Sequence, residues 1–157
     1  MRLQVGKGME EYLSKLGNLE FKAEEMCKRA VYDGAKIVAD QIKANIKSLP
    51  VQDKYEDYAT GIKTIQKKGL IESFGIATCR NENGYINVKA GFDGYNGLKS
   101  KKYPSGQPNA MIARTFESGN SQTKKHPFVA PAVRSTKEAA EMAMQATIEK
   151  EITQTMN

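Results

Sequence analysis

The sequence predicts an α+β chain: a long N-terminal helix and a C-terminal helix packed on a small antiparallel sheet, with mobile loops. Three observations carry this. Apolar residues recur at helical spacing from Leu19 to Leu49. An alanine-rich segment near the end places Ala140, Met144, Ile148 and Ile152 at steps of four. Between them, two strand-like runs meet at Asn81-Glu82-Asn83-Gly84, a good hairpin turn. At 157 residues, one domain over 1–157 is expected. It divides into a helical part (1–50), a β-hairpin (70–92), a flexible loop (93–108) and a terminal helix (132–154).

Met9, Tyr12, Leu13 and Leu16 fit two helical turns, and Gly17-Asn18 is expected to interrupt them. From Leu19 the stripe runs through Ala23, Met26/Cys27, Ala30/Val31, Ala35, Ile37/Val38, Ile42, Ile46 and Leu49, and stops at Pro50. Glu20, Glu24, Lys28, Asp33, Lys36, Asp40 and Lys43 occupy the other face. A helix over 19–48 would be about 45 Å long, against a diameter of about 40 Å for a compact chain of this size. The helix must bend near Gly34 or project beyond its domain. A projecting stripe needs cover, which hints at self-assembly.

Residues 51–69 read as a polar, lysine-rich connection broken at Thr60-Gly61 and Lys68-Gly69. Ile71–Cys79 and Tyr85–Phe92 read as strands. In the second, Ile86, Val88 and Ala90 alternate with Tyr85, Asn87 and Lys89, giving one buried face. The glycine- and proline-containing stretch 93–108 reads as a mobile loop. Asn109 can cap a short helix over 110–117 that Gly119 ends, with Met111, Ile112, Thr115 and Phe116 inward; a strand is the alternative.

A basic loop with Lys124 and Lys125 leads to His126-Pro127-Phe128-Val129-Ala130-Pro131-Ala132. Proline fixes φ and lacks an N–H, so this stretch is a rigid elbow. Ala130, before a proline, is expected to be extended, with the helix starting at Pro131. Ser135 and Glu138 have capping-box spacing, where the helix could start or restart.

The chemistry is sparse. No His pair, phosphate-binding glycine loop or nucleophile elbow is present; Gly91-x-x-Gly94-x-x-Gly97 lacks the strand–helix context such a loop needs. No catalytic, cofactor-binding or metal-binding residue is assigned, and no cofactor is expected. Cys27 and Cys79 read as buried free thiols. No apolar run spans a membrane and no secretion signal is read. His126 reads as a turn residue. Glu117 reads as a salt-bridge or helix-end carboxylate, or a subunit contact. Phe128 reads as a core or interface anchor. A net charge of +6 permits an acidic partner, and Lys99, Lys101 and Lys102 are a solvated loop or a partner- or phosphate-contacting arm. A small basic nucleic-acid-binding module is the alternative, although Tyr85 and Phe92 have opposite strand parity and make a poor stacking platform.

The order of Leu13/Leu16, Gly34-Ala35, Pro50, Leu70-Ile71-Glu72-Ser73, Glu117-Ser118-Gly119 and Pro127-Phe128-Val129-Ala130-Pro131-Ala132 resembles the tail-completion, or head–tail joining, proteins of bacteriophages and prophages. The likeness spans nearly the whole chain and is most specific in the last two motifs. Asn120 stands where Thr is usual, and Ala130 where Arg is frequent. The resemblance implies a non-enzymatic neck subunit, made in the bacterial host cytoplasm and placed in the virion. It implies a homo-oligomeric ring touching connector and tail proteins, with non-specific passage of DNA. Candidate subunit contacts are then Glu117, Gly119, His126, Pro127, Phe128 and Pro131. Candidate loop contacts to a partner or DNA are Lys99, Lys101, Lys102, Lys124 and Lys125.

Overall fold

The computed structural model describes residues 7–157 apart from Tyr55. Residues 1–6 of the expected helical part lie outside the described residues. Helix α1 spans Lys7–Lys47 without a break. At 41 residues it is about 60 Å long. Gly17-Asn18 therefore does not interrupt it: a single glycine costs a helix only about 1 kcal/mol, and both flanks are strongly periodic.

Gly34 is where α1 is crossed. A methyl group there would lie 2.7 Å from Met144 Cγ and 3.2 Å from the Ala140 carbonyl oxygen. Met144 and Ala140 belong to α4, Val129–Met156. The two helices run antiparallel. Asn45 Nδ2 donates to the Phe128 carbonyl, Thr147 Oγ1 to Asp33, and Arg29 makes two bonds to Glu151, at 2.6 and 2.9 Å. Continuing that pairing, Met156 lies opposite about residue 24. Roughly 17 residues of α1, some 25 Å, extend past the end of α4.

The connection after α1 contains an unforeseen helix, α2 (Thr64–Ser73). Lys68-Gly69 lies inside it rather than breaking it, because Gln66 and Leu70 share a buried face and packing outweighs the glycine. Asp53 starts this helix from a distance: its carboxylate accepts from the Thr64 N–H (2.8 Å) and hydroxyl (2.7 Å). Those bonds, the hydroxyl first, hold the Asp53 carboxyl below the usual carboxylate range.

Because α2 runs to Ser73, the first strand starts at Phe74, later than expected. The hairpin is split into two ladders: β1 (Phe74–Ile76) pairs with β4 (Ala90–Phe92), and β2 (Arg80–Glu82) with β3 (Tyr85–Asn87). The two-residue turn is as expected. Asn83 (φ 55°) and Gly84 (φ 87°) both take positive φ, which a right-twisting hairpin favours. The expected alternation holds only in part, since Asn87 is half-buried and Ala90 exposed. Cys79 donates to the Lys28 carbonyl, tying the hairpin to α1. Both cysteines are unpaired and half-buried rather than fully enclosed.

Helix α3 (Asn109–Ser118) buries Ile112, Ala113 and Phe116. Asn109 does not cap it. It is the first helical residue, and its side chain instead donates to the Asp93 carbonyl at 2.9 Å. One core joins the elements: Ile42 and Ile46 of α1, with Leu49 just past its end, meet Leu70, Phe74, Phe116, Phe128 and Ala132. Phe92 bridges it, 4.9 Å from the Phe74 ring and edge-on to Phe128 at 6.1 Å.

Candidate assembly surface

The elbow is built around Glu117. Helix α4 begins at Val129, not at Pro131, and Ala130 is helical. The reason lies in the first four N–H groups, which have no partner inside a helix. Glu117 takes three of them: Phe128 at 2.7 Å and Val129 at 2.9 Å on one oxygen, Ala130 at 3.0 Å on the other. The fourth position is Pro131, which has no N–H. All four are thus accounted for, and the carboxylate sits at the positive end of the α4 dipole. This satisfaction outweighs the usual bias of a residue before proline. Ser135 has no capping role; its hydroxyl donates to the Ala132 carbonyl within a continuous helix.

Gly119 makes the turn that delivers Glu117. It has φ 69°, and a methyl group there would lie 2.9 Å from the Lys125 backbone nitrogen. The His126 N–H then donates to the Phe116 carbonyl at 2.8 Å. Its ring Nε2 lies 2.6 Å from the Thr60 carbonyl, which fixes a proton on that nitrogen. His126 is thus a turn residue that stitches the elbow to the α1–α2 connection. Phe128 is fully buried in its own chain, so its ring anchors the core and is unavailable to a neighbouring subunit. Pro127 is exposed and Pro131 half-buried.

The 93–108 segment folds around buried Asn96. The Asn96 side chain accepts from the Leu98 and Gln107 N–H groups and donates to the Gln107 side chain. Lys99, Lys101 and Lys102 stand exposed on it, Lys102 Nζ lying 5.5 Å from the Tyr103 ring centre. Lys124 and Lys125 are exposed on the other basic loop, which pairs with Ala59 through the Lys124 N–H. Tyr103 and Thr123, from the two loops, line one cleft of about 430 Å³ with Lys54, Lys63, Met111 and Thr115. The structure thus brings residues of both basic loops to a single cleft, which sequence spacing could not show. The one base-stacking pair considered from sequence fails: Phe92 is committed to the core, leaving only Tyr85 exposed.

The outer part of α1 is the other notable surface. Met9, Tyr12 and Leu13 are each more than half exposed, Leu16 is 37% and Phe21 90% exposed. Among the described residues there is no group of His, Cys, Asp and Glu able to hold a metal ion. No helix among them is long and apolar enough to cross a membrane.

Residues 7–93, over half the chain, match the family described as "Bacteriophage HK97-gp10, putative tail-component". The chain belongs to this HK97-gp10-like family. No curated protein and no solved structure matches it. The matched segment covers α1, α2 and the hairpin and ends before α3, so membership does not rest on the elbow. As an HK97-gp10-like protein it is a bacteriophage tail component, located in the virion and in contact with other phage structural proteins.

Proposed function

We propose that this tail component is a non-enzymatic subunit that acts at the head–tail junction or the upper end of the tail, as a ring around the path of the DNA. The observation that carries this is the outer third of α1, an apolar stripe that its own chain leaves uncovered, in a protein whose family builds tails. A closed ring of identical subunits needs two different complementary patches on each. The 93–108 segment with Lys99, Lys101 and Lys102 is one. The outer side of the elbow and α4 is the other, with Pro127 and Pro131 and the exposed Val133 and Met142. Glu117, Gly119 and His126 support that patch by holding its backbone. The exposed lysines of both loops suit phosphate contacts that carry no sequence information.

Native mass spectrometry and electron microscopy of the full chain, alone and with connector and tail subunits, test this reading. Closed rings are expected at high concentration or with those partners. A strict monomer under both conditions overturns it. Amide exchange across 93–108 that slows on assembly would mark that segment as part of the contact.

A further inference from the structure

The charge of the chain is unevenly divided. Residues 7–25, the outer part of α1, hold three lysines and five glutamates, a net −2; residues 26–157 hold 20 cations and 13 carboxylates, a net +7. The acidic part is also the part whose apolar stripe is uncovered: Met9, Tyr12, Leu13 and Leu16 lie on one face at steps of three and four. Glu10 and Glu11 are exposed beside them, Glu11 in a solvated pair with Lys15 at 3.2 Å.

A receptor of opposite character lies elsewhere on the same molecule. The cleft between the two basic loops has Tyr103, Met111 and Ile112 in its lining and Lys54 and Lys63 among its polar groups. Lys102 and Lys124 adjoin lining residues Tyr103 and Thr123 in the chain, and both are exposed. Glu56 is the one carboxylate lining the cleft, and the Gln52 amide already donates to it at 2.7 Å. An amphipathic helix laid into a groove is read by such i, i+3, i+4 and i+7 anchors, with rim charges setting partner choice.

We propose that the outer end of α1 of one copy docks in the lysine-rimmed cleft of a second copy of this chain. The contact joins two different patches, so it propagates head to tail. It rests on the self-assembly part of the reading above and names the element that reaches between subunits. Charge complementarity favours a second copy in the cleft over stripe-to-stripe pairing, which would bring two net-negative segments together.

The test uses two full-length variants. Leu13→Gln with Leu16→Gln removes the stripe but keeps the cleft. Lys124→Glu with Lys125→Glu reverses the rim but keeps the stripe. All four positions are exposed, and circular dichroism is the check that both variants fold. Each alone should associate at least about tenfold more weakly than the parent. Mixed, they should regain by native mass spectrometry a one-to-one contact that neither makes alone, because one intact stripe meets one intact cleft. Adding Glu10→Lys and Glu11→Lys to the rim variant should restore its self-association. Parent protein that assembles while both variants assemble equally well overturns the docking and leaves the ring reading standing. A rim variant that self-associates normally while the stripe variant fails shows stripe-to-stripe pairing, and also overturns it. Parent protein that stays monomeric alone and with connector and tail subunits defeats both.

Discussion

The two ends of α1 carry the same kind of pattern and meet opposite fates. From Met26 to Leu49 the stripe is buried, with Ile46 fully enclosed and Ala30 at 1% exposure. From Met9 to Leu16 a stripe of similar period lies open, and Phe21 is exposed beyond it. Helical periodicity reports which face of a helix wants cover. It does not report whether the chain itself provides it. Here the boundary is set by the reach of α4, whose last polar tie to α1 is the Arg29–Glu151 pair.

Substitutions that treat the two halves alike should separate them. Ile46→Ala empties a fully buried site and should cost about 2–5 kcal/mol of unfolding free energy, read by chemical denaturation. Leu13→Ala should stay within about 0.5 kcal/mol, because little of that side chain is covered in the free subunit. Equal losses at the two sites would mean that α1 is covered along its whole length.

The glycines give a smaller version of the same contrast. Gly34→Leu drives a side chain into Met144 and should cost about 1–3 kcal/mol. Gly17→Ala meets nothing within 4 Å and should stabilise by about 0.5–1 kcal/mol through helix propensity. A thermal shift of the same sign in both would place Gly34 outside the helix crossing.

Glu117→Gln asks whether the covered half depends on the elbow. The amide can accept on one atom only, leaving an N–H at the start of α4 without a partner. A loss of about 1–2 kcal/mol is expected by denaturation, with faster amide exchange at Phe128–Ala130. Unchanged exchange there would show that the carboxylate is dispensable.

The smallest effect concerns pH. The Arg29 guanidinium holds the Glu151 carboxyl below its ordinary range, and Lys28, through a hydrogen bond, does the same for Glu24. A carboxyl depressed in the folded state stabilises above its unfolded value, near pH 4, and loses that contribution as pH falls through its folded one. Both groups are solvated, so the change is small. Acid exchange measurements below about pH 4 should show the boundary near residues 24–29 fraying before the core opens. Identical protection there at neutral and acid pH would remove these pairs from the account.

Much of the fold was legible because it is local. The α1 stripe, the Asn83-Gly84 turn, the inward face of α3 and the alanine-rich final helix all follow from spacing and backbone preference within a few residues. Helix α2 was not, because Lys68-Gly69 looks like a break unless Leu70 is known to have a core to enter. The start of α4 was misplaced by two residues for a similar reason. Nothing near Ala130 announces that a carboxylate 13 residues earlier will accept its N–H.

By itself, then, the sequence determined that the two long terminal segments are helical, where the hairpin turns, and that no ordinary catalytic constellation is spelled out along the chain. Backbone conformation and amphipathic period are properties of neighbouring residues, so they survive without context. Only the tertiary structure decided that Glu117 closes the start of α4, that Phe128 belongs to the core, and that α1 outruns its cover. It also brought two basic loops, some 20 residues apart in the chain, to one cleft. Each of these depends on which distant groups arrive within contact distance, and that is fixed by the packing of the whole chain.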